Sequence, residues 1–261
     1  MRDGLIDVRP VPVFVIGVTG HRDHSLIKAH AEAISANLQN ILTRIQRCLI
    51  SVSATSSFLL PTPPLLKIFA MAAEGSDLLA MKAAHDLGIP IASVLPFPIE
   101  EYRKDFATPQ SSDLFDAIVG SCESKLELPG TRVEGARSYE RANDIILSNC
   151  DLLIAIWDGA LARGRAGTGD VVEQAFEQNI PIIVIDPENP DNSWLLVKPR
   201  DDGFQNKRAF ESERKHLPED LDGLIATALI PPNLRASKRI LGDLYAEKNT
   251  TRSSALSMSC C

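Results

Sequence analysis

Short runs of apolar, largely β-branched residues alternate with amphipathic segments along most of this chain, and that alternation constrains the fold more than any other feature. Strands are predicted at residues 13–18, 65–73, 89–97, 151–157 and 180–186, and helices at residues 25–48, 78–87, 99–106, 137–149 and 170–178. Strands that are apolar on both sides are typical of parallel sheets covered by helices on both faces. The sequence therefore predicts an α/β fold with a Rossmann-like, doubly wound, mainly parallel sheet flanked by helices, and a small C-terminal helical appendage.

A change of composition after residue 187, where Pro, Asn, Asp, Lys and Arg dominate, predicts the domain limits. An edge strand is predicted at residues 193–197 and helices at residues 220–228 and 234–246; the irregular stretch before the fourth strand adds a helix at 113–122 and a short strand at 125–128. We predict a Rossmann-like domain at residues 1–200, an appendage at 201–246 that packs on it, and a disordered tail or the truncated start of a further region at 247–261.

Charge and cysteine content narrow the functional classes. The net charge of -7 and the aromatic content of 5% make polymeric nucleic acid an unlikely partner, because binding it needs a basic surface and stacking side chains. The five cysteines form no CxxC pair and have no histidine at a zinc spacing, so we expect reduced thiols and no metal. The sequence has no signal-peptide pattern and no long apolar run, so the expected location is the cytoplasm.

The first candidate site is the loop after the first predicted strand, which contains Gly17, Thr19, Gly20, His21 and Arg22. Loops at the carboxyl ends of parallel strands meet helix N-termini, where free backbone amides and the helix dipole favour an anion. The glycines let these amides approach a phosphate, and Arg22 can pair with its oxygens. A tight turn with exposed charges is the alternative interpretation.

The second candidate loop follows the second predicted strand and places two carboxylates at a helix start. Its sequence is Ala-Glu-Gly-Ser-Asp at residues 73–77. Carboxylates at this place suit the hydroxyl groups of a ribose. Capping by Ser76 or Asp77 explains the same residues equally well, because each accepts hydrogen bonds from first-turn amides.

The third candidate loop, at residues 164–170, precedes the helix that follows the fourth predicted strand. Its three glycines surround Thr168 and would cradle a phosphate at the helix N-terminus, with positive charge from Arg163 and Arg165. A flexible surface loop is the alternative. The sequence has neither the P-loop pattern GxxxxGK[ST] nor the spaced GxGxxG fingerprint of a dinucleotide site.

These loops, together with Tyr139, the Arg-Ala-Asn of residues 141–143 and the Asp-Leu-Leu-Ile-Ala-Ile-Trp-Asp-Gly of residues 151–159, resemble the SLOG superfamily over residues 11–186. That group joins DprA-like and YpsA-like proteins, the LOG phosphoribohydrolases, and the ligand-sensing domains of TRPM channels and of some bacterial NAD-linked defence proteins. The resemblance implies a Rossmann-like pocket for a nucleotide-derived ligand, such as ADP-ribose or cyclic ADP-ribose.

The third loop departs from the enzymes of that superfamily. LOG enzymes carry PGGxGTxxE and use its glutamate to cleave an N-glycosidic bond, and nucleoside deoxyribosyltransferases, which this region also resembles, place a glutamate at the same distance from the threonine. Here Arg165 and Ala166 replace the doubled glycine, and Val171 stands three residues after Thr168. Asp170 does not substitute for the glutamate, because a one-residue offset on a helix turns a side chain by about 100°.

We therefore expect a sensor domain that binds a nucleotide-derived ligand without catalysis and regulates an attached or associated effector, in the context of bacterial defence. It is expected to form a homo-oligomer, a dimer or higher, to need no cofactor or metal, and to belong to a chain that continues into an effector or membrane region. The first alternative is an N-glycosyl hydrolase or transferase with Asp170 or Glu74 as the catalytic acid. The second alternative is DprA-like binding of single-stranded DNA.

The residues expected to bind the ligand lie in the three loops, in the helix before the fourth strand and at the end of that strand. They are Gly17, Thr19, Gly20, His21, Arg22, Glu74, Gly75, Ser76, Tyr139, Asn143, Trp157, Asp158, Gly159, Gly167, Thr168, Gly169 and Asp170. Arg22 and the amides of residues 167–169 would hold phosphate, and Glu74 and Asp170 would contact ribose hydroxyls. Trp157 or Tyr139 would stack on a base.

Overall fold

The computed structural model describes residues 11–22, 25–56, 59–60, 62, 64–106, 108–160, 164–197 and 214–229. The chain divides into two compact units, Met1–Ala226 and Thr227–Cys261, and the sheet belongs to the first. The predicted limits at residues 200 and 246, and the helix predicted at residues 234–246, fall outside the described residues and stay predictions.

The described strands form one eight-stranded sheet. In chain order from β1 to β8 they are Val13–Gly20, Leu65–Ala70, Ile91–Leu95, Ser124–Glu127, Leu152–Ile156, Ile182–Ile185, Ser193–Leu196 and Arg214–His216. Across the sheet their order is β4-β3-β2-β1-β5-β6-β7-β8. The six strands from β1 to β6 are parallel, β7 pairs antiparallel with β6, and β8 pairs antiparallel with β7. The doubly wound, mainly parallel sheet predicted from the sequence is confirmed.

The helices cover both faces of this sheet, which explains why its central strands lack polar alternation. Every residue of β3, β5 and β6 is buried. From α1 to α7, the described helices are Ser25–Thr55, Ser76–Asp86, Ile99–Tyr102, Pro109–Ser121, Ala136–Ser148, Thr168–Glu177 and Leu217–Leu229. Single 3₁₀ turns lie at Arg103–Asp105 and Arg132–Glu134. No helix in this described part of the chain is both long and apolar enough to cross a membrane.

The order of strands places a crevice at the carboxyl end of β1. Strands β2 to β4 lie on one side of β1, and the strands from β5 onward lie on its other side, so the strand order reverses at β1. Ligands of open α/β sheets bind at such a switch point. Gly20 ends β1 directly against α2, and a Cβ atom at this position would lie 2.6 Å from the Ser76 hydroxyl oxygen. The absence of a side chain at Gly20 therefore lets the end of β1 contact the start of α2.

Candidate functional site

A cavity of about 560 Å³ opens at this switch point and lies within the usual size range of small-molecule sites. Its walls are the end of β1, the loop after β2, one face of α5 and the residues that lead into α6. The lining residues are Val18, Thr19, Gly20, His21, Arg22, Met71, Ala73, Asp77, Gly135, Ala136, Tyr139, Asn143, Arg165, Ala166, Gly167 and Thr168.

The cavity brings together only part of the site predicted from the sequence. The predicted residues that line it are Thr19, Gly20, His21, Arg22, Tyr139, Asn143, Gly167 and Thr168. The predicted residues that do not line it are Gly17, Glu74, Gly75, Ser76, Trp157, Asp158, Gly159, Gly169 and Asp170. The latter set contains both carboxylates named for catalysis, Glu74 and Asp170.

The start of α6 presents backbone amides to the cavity. Gly167 is the N-cap residue and has no side chain to satisfy the first-turn amides. The Asp170 carboxylate instead accepts a hydrogen bond from the Ala166 amide at 2.8 Å, which fixes the turn in which Ala166 has a φ of 62°. Val171 is 2% exposed and packs in a core cluster with residues of β5 and β6. Asp170 thus shapes the loop, and Val171 faces the core.

The start of α5 forms the opposite wall, of which Tyr139 and Asn143 were predicted from the sequence and Gly135 and Ala136 were not. Gly135, with a φ of 58°, is its N-cap residue and again provides no capping side chain. Ala136, Tyr139 and Asn143 are spaced three and four residues apart, so they form one stripe on the helix, and all three line the cavity. Asn143 is 7% exposed, and its side-chain amide has no hydrogen-bond partner among the described residues.

The first turn of α2, which follows β2, contributes a buried carboxyl group. Asp77 is 5% exposed, and its Oδ2 accepts a hydrogen bond from the Ala73 amide at 3.3 Å. Burial raises the pKa of Asp77 to about 7, against the opposing effects of the Ala73 hydrogen bond and the Arg22 charge. Ser76 does not cap α2; its hydroxyl donates to the carbonyl oxygen of His21 at 2.8 Å, and so joins the first two loops.

Arg22 supplies a cation at the cavity edge. Its guanidinium carbon lies 4.7 Å from the centre of the Tyr139 ring, and Nη1 lies 3.3 Å from the Asp105 carboxylate. The guanidinium group therefore covers one face of the ring that was predicted to stack on a base. A second arginine, Arg165, lines the cavity and pairs with Glu140 of α5 at 2.8 Å.

The end of β5 packs against the first loop and lies outside the cavity lining. Trp157 is part of the core cluster, and its indole nitrogen donates to the carbonyl oxygen of Ala160 at 2.9 Å. Asp158 lies 3.0 Å from the His21 imidazole. Burial raises the pKa of Asp158, but hydrogen bonds from the Ala160 amide and from His21 outweigh this effect, so the pKa is lowered. Asp158 is therefore a charged partner that orients His21.

No group of three or more His, Cys, Asp or Glu side chains that could hold a metal ion occurs in the ranges that the structure describes. The carboxylates of the site are dispersed: Asp77 lies in the cavity wall, Asp158 beside His21, and Asp170 in the loop before α6. The polar groups of the cavity wall are therefore backbone amides, two arginines, a buried carboxyl group, a buried amide, the His21 imidazole and the hydroxyl groups of Thr19, Tyr139 and Thr168.

A scan against protein-family models and a search of curated proteins gave no match. Among solved structures, the chain is similar to DNA processing protein A (DprA) from Streptococcus pneumoniae, with 20% identity and a TM-score of 0.41 over 67% of this chain and 50% of that one. The chain is also similar to DprA from Helicobacter pylori, studied for its single-stranded DNA binding mode. The identity is 14% and the TM-score 0.38 over 66% of this chain and 65% of that one.

A molybdenum cofactor binding protein from Rippkaea orientalis is also similar, with 13% identity and a TM-score of 0.35 over 69% of this chain and 78% of that one. The chain spans half the length of the S. pneumoniae protein. At these identities the similarity concerns the fold, and DNA or cofactor binding is a property of those proteins.

Proposed function

We propose that the cavity binds a nucleotide-derived ligand, ADP-ribose, cyclic ADP-ribose or a related phosphorylated nucleoside, and that this domain is a sensor that regulates an attached or associated effector. The observation that carries this proposal is the uncapped N-terminus of α6 facing the same cavity as the Arg22 guanidinium. First-turn amides without a capping side chain, the positive end of the helix dipole and a nearby cation together favour a phosphate group.

The phosphate would lie against the amides that begin at Thr168, within reach of Arg22. Arg22 donates one hydrogen bond to Asp105 through Nη1, and a guanidinium group has five N–H donors, so donors are available for phosphate oxygens. Each hydrogen bond to a charged group contributes about 1.5–3 kcal/mol. One arginine contact of this kind corresponds to a difference of about ten- to a hundredfold in affinity.

The nucleoside part would lie deeper, where the cavity wall becomes buried. The Asn143 amide and the Asp77 carboxyl group are the polar groups suited to ribose hydroxyls or a base edge, and Met71 offers an apolar surface. The Asn143 amide has no hydrogen-bond partner among the described residues, and this favours a ligand that supplies one, because an unsatisfied polar group in the bound state lowers affinity. The absence of catalysis is supported by Val171, which packs in the core where the related glycosidases carry their glutamate.

Two measurements test this proposal. The first is mass spectrometry of small molecules released from the purified, heat-denatured protein, which identifies a ligand retained from the cell. The second is calorimetric titration of the protein with ADP-ribose, cyclic ADP-ribose and AMP. We expect Arg22→Gln to weaken binding at least tenfold. Arg141→Gln is the matched control, because Arg141 is exposed on α5 and pairs with Glu134 outside the cavity.

Two results would overturn the sensor proposal. The first is a failure of the expected nucleotide binding. The wild-type protein would bind none of these nucleotides at millimolar concentration, or Arg22→Gln would bind them as tightly as Arg141→Gln does. The second is salt-sensitive binding of single-stranded oligonucleotides in place of nucleotides, which would favour the DprA-like alternative.

A second candidate function is N-glycosidase activity, and Asp77 is the observation that favours it. A carboxyl group in the cavity wall with a pKa of about 7 is protonated in a substantial fraction of molecules at neutral pH, as a general acid for base release must be. Chromatography of AMP, NAD and ADP-ribose incubated with the protein tests for the free base. The enzyme hypothesis requires release that Asp77→Asn abolishes, and tight binding without any product would refute it.

A further inference from the structure

Asp105 lies behind Arg22, outside the cavity lining, at the end of the 3₁₀ turn that follows α3. Its side chain is 8% exposed, and three donors share its two oxygens. Oδ2 accepts a hydrogen bond from the Tyr139 hydroxyl at 2.6 Å and lies 3.3 Å from Nη1 of Arg22. Oδ1 lies 2.7 Å from Nη2 of Arg132. Asp105 therefore connects the cavity arginine to an arginine that does not line the cavity.

Asp105 and Tyr139 restrain Arg22 from two sides. The carboxylate holds one end of the guanidinium group, and the ring of Tyr139 lies under its plane at 4.7 Å. A cation stacked on an aromatic face gains about 0.5–2 kcal/mol, depending on its exposure. The Tyr139 hydroxyl also donates to the carboxylate that holds Arg22, so the three side chains fix one another.

Arg132 holds Asp105 in turn and compensates its charge. Its Nε lies 2.6 Å from the Glu101 carboxylate, its Nη2 donates to the Glu101 carbonyl oxygen at 2.8 Å, and its guanidinium group lies 5.5 Å from the centre of the Phe97 ring. Lys104 pairs with the other Glu101 oxygen at 2.5 Å. The cluster therefore contains three cations and two anions and keeps one positive charge.

We propose that Asp105 is the positioning residue for Arg22, and that Arg132 neutralises Asp105 so that the charge of Arg22 remains available to a ligand phosphate. The proposal rests on the proposed function. The distances indicate that Asp105 positions Arg22 and does not mask its charge. Asp105 makes its short contacts with Arg132 and Tyr139, at 2.7 and 2.6 Å, and its longer contact, at 3.3 Å, with Arg22. A carboxylate that masked Arg22 would make its shortest ion pair with that residue.

The first test needs no ligand. In NMR spectra of the full-length protein, the ring of Tyr139 should shift the side-chain ε-proton resonance of Arg22 upfield, because the guanidinium group lies over its face. Asp105→Asn should remove this shift. Asp116→Asn is the matched control, since Asp116 pairs with Arg103 beside the same segment at 2.7 Å and makes no contact with Arg22. An unchanged Arg22 resonance in Asp105→Asn would refute the positioning role.

The second test uses calorimetric titration with ADP-ribose and, as the phosphate-free probe, adenosine. We expect Asp105→Asn to weaken ADP-ribose binding about tenfold and to leave adenosine binding unchanged. In a variant that already carries Arg22→Gln, the Asp105 change should have no further effect. Tyr139→Phe, which retains the ring under Arg22 and loses one hydrogen bond to Asp105, should give a smaller loss and guards against a folding defect in Asp105→Asn.

Arg132→Gln distinguishes positioning from general support of the fold. Without Arg132, the full charge of Asp105 acts on Arg22, so ADP-ribose binding should weaken; adding Asp105→Asn should then restore part of the affinity. A structural role would make the two losses add. Tighter ADP-ribose binding by Asp105→Asn would overturn the proposal and identify a latch. If wild-type protein shows the Arg22 shift but binds no ADP-ribose, the proposed function fails and the positioning geometry stands.

Discussion

Val171→Glu introduces an acidic residue at the position where the enzymes that this loop resembles carry a glutamate, and we expect it to damage the fold without creating activity. Val171 is 2% exposed and lies in the core cluster together with Leu153, Ala175 and Val184. A glutamate side chain introduced here would have to leave its carboxylate among apolar side chains. Base release from AMP should therefore remain at the wild-type level.

Two effects determine how much unfolding free energy Val171→Glu loses. Removal of a buried valine side chain from the core costs about 1.5–3 kcal/mol. The introduced carboxyl group is also buried, which raises its pKa in the folded state above the value of about 4.3 that it has in the unfolded chain. The folded state then binds the proton more tightly than the unfolded state does. Stability therefore falls as pH rises above about 4.3, by about 1.4 kcal/mol per pH unit, until the raised pKa is reached.

Urea unfolding followed by circular dichroism, at pH 5, 6, 7 and 8, measures both effects. Val171→Gln is the matched control, because it has the same shape and never ionises; the difference in unfolding free energy between the two variants should grow with pH. A glutamate variant that equals wild type at pH 8, or whose stability relative to the glutamine variant does not depend on pH, would refute the placement of this side chain in the core. So would the appearance of base release.

Three further outcomes are expected. Because the folded pKa of Asp77 is about 7 and lies above its value of about 3.9 in the unfolded chain, wild-type stability should fall between about pH 4 and 7, and urea titrations of Asp77→Asn should lack this slope of about 1.4 kcal/mol per pH unit. Gly20→Ala puts a methyl carbon 2.6 Å from the Ser76 hydroxyl and should lower the thermal midpoint by about 2–4 °C for each kcal/mol lost; an unchanged midpoint would contradict the close contact. Tyr102→Phe removes a buried hydroxyl without a hydrogen-bond partner among the described residues, so chemical unfolding should show equal stability or a gain of about 1 kcal/mol, and a clear loss would reveal a partner.

Periodicity predicted the sheet well because its central strands are buried on both faces. The predictions from periodicity are wrong at the ends of strands and helices, where single residues determine the limit. The third strand was predicted at residues 89–97 and spans Ile91–Leu95, because Pro90 and Pro96 flank it and cannot donate ladder hydrogen bonds. A connection was predicted at residues 51–64, which are rich in Ser and Thr, but helix α1 continues into this stretch as far as Thr55. The Thr55 hydroxyl donates back to the carbonyl oxygen of Ser51 at 2.9 Å.

The three loops could be found from the sequence because each follows a strand at the carboxyl edge of the sheet. Of the α5 wall, Tyr139 and Asn143 were predicted from the resemblance, whereas Gly135 and Ala136 were missed because a glycine and an alanine at a helix start carry no chemical signal of a site. The stripe of Ala136, Tyr139 and Asn143 is visible as a spacing of three and four, but the sequence does not tell which helix face meets the cavity. The link from Asp105 to Arg22 joins residues 83 positions apart, and only the folded chain brings them together.

The register of α6 explains why the glycine loop at residues 164–170 brings backbone amides to the cavity but no acidic side chain. Val171 and Ala175, one helical turn apart, both pack in the core, and this fixes the rotation of the helix about its axis. Asp170 is then turned back toward the loop, where it accepts the Ala166 amide. Thr168 is left at the cavity, where the first turn of α6 has no capping side chain, and this stretch of chain brings no carboxylate to the cavity lining. A reaction in this cavity would need its acid from another wall, and among the described lining residues the carboxyl group is that of Asp77.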